Sequence, residues 1–309
     1  MSSIKNFRKD CRDNGLVYDL KLKVCRMDKR RAKKSIANNT KKSIANNTNN
    51  TKKSIANNTK KSIANNTKVL TYNIFWEAML NQNKQCTDNV CKYNIANVLL
   101  DDEYDLIALQ ETVNDKVLNI PNMRKIVNKI SIDRMQTYYN PSKYKLQYTG
   151  MDELESERPI TILFLREYKK DNFIMFINLH AGHYYDYDND IEKFAMFMND
   201  LNAAISRIFK SKKIPMKWFE QSRIIMAGDF NRDLPRRIYL KYNGDVRTLF
   251  NNKKKLVTCC GYSKKNERWG RHYDHIIDSF AKPNDIYVPN VDGPASDHAP
   301  VAAILMNEE

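Results

Sequence analysis

From Val69 onward the chain carries short apolar runs rich in β-branched and aromatic residues, at 69–75, 105–109, 159–165, 173–179, 223–227, 275–280 and 300–306. Between some of them lie longer helical patterns, notably 90–100 and 190–209. Strand-length runs with helical patterns between some of them imply a layered α/β domain over 69–309.

The residues before Val69 have a different texture. The octapeptide KKSIANNT occurs at 33–40, 41–48, 52–59 and 60–67. Each unit has one Ile and one Ala among polar residues, too little apolar surface to offset an ordering cost of ~1–2 kcal/mol per residue. Residues 33–68 are therefore expected to be a disordered linker, either a solvated spacer or a track of lysine pairs lying along a polyanion. Residues 1–32 form a separate basic module, for which a short hairpin turning at Asn14-Gly15 is expected. Residues 1–68 hold 19 Lys/Arg and four acids, a net +15 of the chain's +16. The basic balance thus belongs to the tail and is no argument for a basic groove in the main domain.

No run is long and apolar enough to span a membrane, and the charged N-terminus lacks the apolar stretch of a signal peptide. The expectation is a soluble intracellular monomer. The six cysteines, Cys11, Cys25, Cys86, Cys91, Cys259 and Cys260, contain no CxxC pair, so no zinc site is expected. Reduced thiols are expected, with a Cys11–Cys25 disulfide as the alternative.

Polar residues recur where the apolar runs end. Asn73 lies in the first, Gln110-Glu111 close the second, and His180 ends the run 173–179. Gly228-Asp229-Phe230-Asn231 follow 223–227, Tyr273-Asp274-His275 open the next strand, and Ser296-Asp297-His298 precede the last. One carboxylate at a strand end is ordinarily a cap or turn. A whole series carrying Asn, Glu, His and Asp points instead to catalytic groups displayed on the loops of a rigid sheet.

The series TYNIF (71–75), LIALQET (106–112), INLHAGH (177–183), MAGDFNRD (226–233), YDHIID (273–278) and ASDHAPV (295–301) resembles the endonuclease/exonuclease/phosphatase superfamily, in the family's order. The resemblance implies a four-layer α/β sandwich, two mixed β-sheets packed face to face and flanked by helices. It also implies metal-dependent phosphoester hydrolysis. Mg²⁺, with Mn²⁺ as a substitute, suits carboxylate oxygens. Glu111 matches the family's metal-binding glutamate, and Asn73 and Asp297 match positions near the same metal. Asp229 is suited to orienting or deprotonating the attacking water. Asn231, two residues further along an extended segment, would donate an amide N–H to the phosphate. His298 is either the charged partner of the phosphate or the base toward water, oriented by Asp274. His180 matches the histidine of deoxyribonuclease-like branches that assists the leaving group or binds phosphate.

Other positions stay open. Arg158 is either a phosphate-binding arginine or a surface base at a strand start, and Glu77 a second carboxylate near the metal or a surface group. Trp269 with Arg268 and Arg271 is either a substrate lip or a plain loop, and His275 is expected to face away from Asp274. A much shorter likeness, over 11–25, is to the two-cysteine adaptor segment of large DNA viruses. The preferred substrate is nucleic acid, DNA before RNA, with the tail neutralising phosphates. The alternatives are a phosphoinositide- or sphingomyelin-type phosphoesterase whose tail meets an anionic membrane surface, and a catalytically dead binding protein.

Overall fold

A computed structural model describes strands 16–19 and 24–27 and residues 66–307, apart from 81, 83, 113–118, 131–132, 184–190, 252–255, 261–270 and 282–284. The chain divides into two units at Asn65–Asn66. In the first, β1 (Leu16–Asp19) pairs antiparallel with β2 (Val24–Met27), with Leu16 opposite Met27. The turn expected at Asn14-Gly15 lies outside the described residues. The repeats up to 65, Cys11, and the Arg268–Trp269 lip lie outside the described residues.

The second unit contains two mixed sheets. One has six strands in the order β14-β15-β3-β4-β6-β5. These are β3 (Thr67–Asn73), β4 (Leu106–Gln110), β5 (Arg124–Asn128), β6 (Met135–Tyr139), β14 (Asp285–Tyr287) and β15 (Val301–Leu305). The other has seven, in the order β11-β12-β13-β10-β9-β8-β7. These are β7 (Tyr144–Glu153), β8 (Pro159–Glu167), β9 (Phe173–His180), β10 (Arg223–Asp229), β11 (Arg237–Tyr242), β12 (Asp245–Asn251) and β13 (Asp274–Asp278). Four α-helices are described: α1 (Trp76–Met79), α2 (Val90–Leu100), α3 (Ile191–Ser211) and α4 (Lys217–Gln221).

The apolar runs are continuous because the central strands are covered on both faces, and side chains alternate between two cores. On β10, Ile225 and Ala227 face the layer between the sheets, where they meet Val69, Leu106, Ala108, Phe176 and Ala303. Ile224 and Met226 face the other way, toward Phe197, Leu201, Ile205 and Ile208 of α3 and Trp218 of α4. On the far side, Leu70, Tyr72, Ile107 and Leu109 pack against Ile95, Val98 and Leu99 of α2. Each of the larger aliphatic or phenylalanine side chains contributes about 1.5–3 kcal/mol on full burial. Three apolar layers between four structural ones give the expected α/β sandwich.

The first strand begins at Thr67, two residues before the expected boundary. Thr67 is buried and its Oγ1 is 3.1 Å from the Tyr144 hydroxyl. The cysteines also differ from expectation. The structure pairs Cys86 with Cys91 and Cys259 with Cys260, where reduced thiols were expected.

Candidate active site

Strand register gathers the polar residues. In the parallel β9–β10 pair Asp229 stands opposite His180, and in the antiparallel β10–β13 pair it stands opposite Asp274. In the other sheet β3 and β4 run parallel, with Asn73 opposite Gln110, so Glu111 follows immediately at the same rim. β15 returns antiparallel to β3. Its preceding loop is tied down by Ser296, whose Oγ donates to the Asn73 carbonyl at 2.6 Å and accepts from the His298 backbone N–H at 3.0 Å.

The side chains then meet across the two sheets. The Asn73 amide donates to Glu111 Oε1 at 3.1 Å and to Asp229 Oδ2 at 2.9 Å. His298 Nδ1–H donates to Asp274 Oδ2 at 2.8 Å, and its Nε2 lies 3.6 Å from Asp229 Oδ2. His180 Nε2 lies at the same 3.6 Å from that oxygen and 3.9 Å from Glu111 Oε1. Its Nδ1–H donates to Asp133, which also accepts from Arg158 Nη1 at 2.9 Å. Asp229 is thus a buried carboxylate between two imidazoles, each held by its own aspartate.

Burial and charge set the protonation states. Burial alone disfavours a charged His298, but Asp274 and Asp229 outweigh it and raise its pKa to about 10. Asp274 is pushed up to about 6 by burial and the nearby Asp229 charge, against the pull of His298. Burial opposes ionisation of Asp229 as well, yet His298, His180 and the Asn73 amide together hold it below the ordinary carboxylate range. Desolvation would lower the His180 pKa, but Asp133 reverses this and raises it.

The backbone around the site is strained and tightly fitted. Phe75, Glu111, Glu157 and Asn231 all have positive φ, a conformation costing of order 1–3 kcal/mol for such residues. Gly228 is required by packing rather than by conformation. A Cβ there would lie 2.0 Å from the Leu179 carbonyl oxygen of β9. We expect Gly228→Ala to force β10 away from β9, destabilising the domain by about 1–3 kcal/mol and misplacing Asp229. Denaturant midpoint and kcat should fall together, and an unchanged midpoint would contradict this account. Below the rim a buried amide network braces both sheets, with Gln110 Nε2 donating to Asn178 Oδ1 at 2.8 Å and Asn178 Nδ2 to Thr137 Oγ1 at 2.9 Å.

These residues open onto a cavity of about 900 Å³ lined by Glu111, Asp229, Asp297 and His298, with Phe75, Trp76, Arg134, Arg158 and Cys260 also on its wall. The structure shows what three of the expected site residues contact. Asn231 is not on an extended segment. The strand ends at Asp229, whose Oδ1 accepts the Asn231 N–H at 2.8 Å, and the Asn231 amide donates to the Ala181 carbonyl at 2.7 Å. That hydrogen bonding makes it a brace for His180, 3.3 Å from its Nε2. Asn73 uses its Nδ2 on two carboxylates and its Oδ1 to accept the Phe75 N–H at 3.0 Å, so it positions Glu111 and Asp229. Arg158 faces the cavity but is committed to Asp133. His275 turns away and donates to the Arg232 and His272 carbonyls, and Glu77 sits in the first turn of α1.

Sequence reasoning missed Asp133, Trp76 and Cys259. Asp133 sits in a polar tract with no strand-end motif, so nothing local marks it as the partner of His180. Trp76 adjoins a motif and is 41% exposed at the cavity wall, with its backbone N–H donating to Glu111 Oε2 at 3.3 Å.

The donor set fits a hard divalent cation. Burial first, then repulsion from Glu111 and Asp229, raises the Asp297 pKa against the pull of His298. These carboxylates face one another with too little neutralising charge, which is the condition a cation relieves. Glu111 and Asp297 could supply ligand oxygens to such an ion.

No family model matches the chain. The protein L684 of Acanthamoeba polyphaga mimivirus is 27% identical over 268 residues, covering 77% of this chain, which spans about half the length of that relative. Solved structures are similar over most of the described domain. An endonuclease/exonuclease/phosphatase family protein from Bacteroides thetaiotaomicron has a TM-score of 0.55 at 15% identity, over 78% of this chain and 94% of that one. ANGEL2, a 2',3'-cyclic phosphatase, has a TM-score of 0.55 at 14% identity, over 77% and 95%. Truncated Caenorhabditis elegans TDP2 has 0.52 at 12% identity, over 80% and 100%. With the strand-end series on the same rim, these likenesses show that the chain has the endonuclease/exonuclease/phosphatase fold.

Proposed function

We propose that residues 66–309 are a metal-dependent phosphodiesterase acting on nucleic acid. The observation that carries this reading is the buried Asp274–His298–Asp229–His180–Asp133 chain ending on a cavity that also holds Glu111 and Asp297. A binding protein gains nothing from burying three carboxylates against two histidines, since such groups are costly unless their charge is used.

Each residue then has a task. Asp229, held ionised, orients the attacking water and draws its proton. His298, held protonated by Asp274, faces the phosphoryl oxygens as a cation and steadies their growing negative charge. His180, kept basic by Asp133, lends its proton to the leaving oxygen. Asn73 and Asn231 hold the carboxylate and imidazole positions that these steps need. A Mg²⁺ or Mn²⁺ ion held by Glu111 and Asp297 would supply further charge neutralisation at the phosphate.

The aromatic wall favours a nucleotide over a lipid headgroup. Phe75 and Trp76 adjoin the carboxylates, and a base stacked on an aromatic face gains roughly 1–3 kcal/mol. ANGEL2, on the same fold, is solved with adenosine-2',3'-vanadate. The test is hydrolysis, with Mg²⁺, of plasmid, single-stranded DNA, RNA, sphingomyelin and phosphoinositides. Turnover of the lipids alone would overturn the nucleic-acid reading.

The dyad also sets a pH profile. The active form needs Asp274 ionised and His298 protonated. Activity on the preferred substrate should rise through about pH 6 and fall toward about pH 10. Asp274→Asn should abolish the acid limb. An acid limb that persists unchanged would assign it elsewhere.

The tail is a separate proposal. Residues 1–68 carry 19 of the 52 basic residues, which would add sequence-independent affinity for long polyanions. Because Thr67 and Lys68 belong to β3, the tail should be removed at Asn66. The remaining 66–309 should keep kcat on short substrates, and its binding to long DNA should show a shallower salt dependence. An unchanged salt slope would show that the tail does not touch nucleic acid.

A further inference from the structure

The mechanism above leaves two cysteines unused beside its most important histidine. Cys259 is 1% exposed and its Sγ lies 3.3 Å from His298 Nε2. Cys260 is exposed and lines the same cavity. The three atoms, Cys259 Sγ, Cys260 Sγ and His298 Nε2, all lie within 4.8 Å of one another.

We propose that the reduced Cys259–Cys260 pair and His298 form a binding site for a thiophilic divalent cation, Zn²⁺ or Cd²⁺, distinct from the carboxylate site for Mg²⁺. Two thiolates and one imidazole are the donors such ions prefer, and a fourth position is left open toward the cavity. The carboxylate that would orient the ligating histidine is already in place. A ligating histidine characteristically donates its other ring N–H to a carboxylate, and His298 Nδ1–H donates to Asp274.

The backbone holds the sulfurs there. The Thr258 carbonyl accepts the Ala299 N–H at 2.7 Å, and its Oγ1 accepts the Tyr273 and Asp274 N–H groups at 3.1 Å each. Cys259 and Arg271 exchange backbone hydrogen bonds at 3.1 and 3.2 Å. The Cys259 position is thus pinned to β13 and to the loop that carries His298.

A cation bound here occupies His298 Nε2, the nitrogen assigned to the phosphate, and therefore inhibits hydrolysis. The site exists only when the pair is reduced. As a disulfide, Cys259–Cys260 has no thiolate to offer, and opening it takes two electrons from a thiol or phosphine reductant and two protons from that thiol or, with a phosphine, from water. On binding, both thiols and the Nε2–H of the His298 imidazolium lose their protons to solvent, while the Nδ1–H stays donated to Asp274. The redox state of this pair then decides whether a soft metal can silence the enzyme. The inhibition rests on the function proposed above, whereas the binding does not.

The test uses the full chain reduced with a phosphine, freed of metal, and titrated with Cd²⁺ in the presence of excess Mg²⁺. Two signals are followed, the ultraviolet thiolate-to-cadmium charge-transfer band and the rate on the preferred substrate. The expected result is one equivalent of band that C260S lacks, with loss of rate over the same equivalent. The oxidised chain should show neither. C260S, at an exposed position, should keep the wild-type circular dichroism, and its rate is compared only with its own rate in Mg²⁺ alone. A band of equal size in C260S would overturn the site. Inhibition of C260S at the wild-type Cd²⁺ concentration would place the ion on Glu111 and Asp297 and overturn it equally. If the band behaves as expected but no substrate is turned over, the metal site stands and the proposed function fails.

Discussion

Replacing His298 with alanine is expected to lower kcat on the preferred substrate by roughly 10²–10⁴-fold, the largest single loss at the site. The imidazole is buried between two carboxylates, and its raised pKa keeps it charged at neutral pH. Removing it takes away the cation that faces the phosphate. It also leaves Asp274 and Asp229 without their shared counter-charge. Asp274→Asn keeps the size of the side chain but loses the charge that orients His298 and holds it protonated, by the logic of the orienting aspartate in a catalytic triad. Its loss should approach that of His298→Ala. Residues that act as one unit lose activity non-additively. The double variant should therefore be little worse than His298→Ala alone. Strictly additive losses, measured as kcat/KM across the double-mutant cycle, would show that the 2.8 Å contact is not a working dyad.

Removal of metal is the second large effect. EDTA should abolish hydrolysis, with Mg²⁺ or Mn²⁺ restoring it, because Glu111 and Asp297 face the cavity with insufficient positive charge around them. Glu111→Gln should cost roughly 10²-fold or more at limiting Mg²⁺, in line with the several kcal/mol a metal contributes to such a transition state. Part of that loss should return at high Mg²⁺, because the substitution weakens binding of the ion more than it alters the chemistry. His298→Ala should show no such recovery. Full hydrolysis in EDTA would sink the metal-dependent reading altogether, and an equal loss for Glu111→Gln at all Mg²⁺ concentrations would assign Glu111 to something other than holding the ion.

The sequence by itself determined the central strands and the groups at their ends. A strand covered on both faces must be apolar along its whole length, so β3, β4, β8, β9, β10, β13 and β15 are legible as runs, and a polar residue closing such a run is conspicuous. Most of the strands it did not reveal lie toward the sheet edges; β6 is the exception, buried throughout but carrying the polar Gln136 and Thr137 in a run too mixed to stand out. β7 and β11 end the seven-stranded sheet and β5 and β14 the six-stranded one. Each has one face or one side in solvent, and with the apolar requirement relaxed they look like loops. The charge division at the tail is likewise a property of composition alone.

Tertiary structure decided the partnerships. Asp133 meets His180 across 47 positions of sequence, and Cys259 meets His298 across 39. Neither pair has a local signature, because a contact between distant segments depends on sheet register and on where each loop is tied. The same is true of Asn231, whose motif suggests an extended residue aimed at phosphate. The Asp229 carboxylate captures its N–H and turns the chain, and the Ala181 carbonyl takes its amide. A short motif can specify which groups are present at a strand end. Which hydrogen bond each group makes is settled only when the two sheets bring their rims together, since every donor there has several acceptors within reach and the packed backbone selects among them.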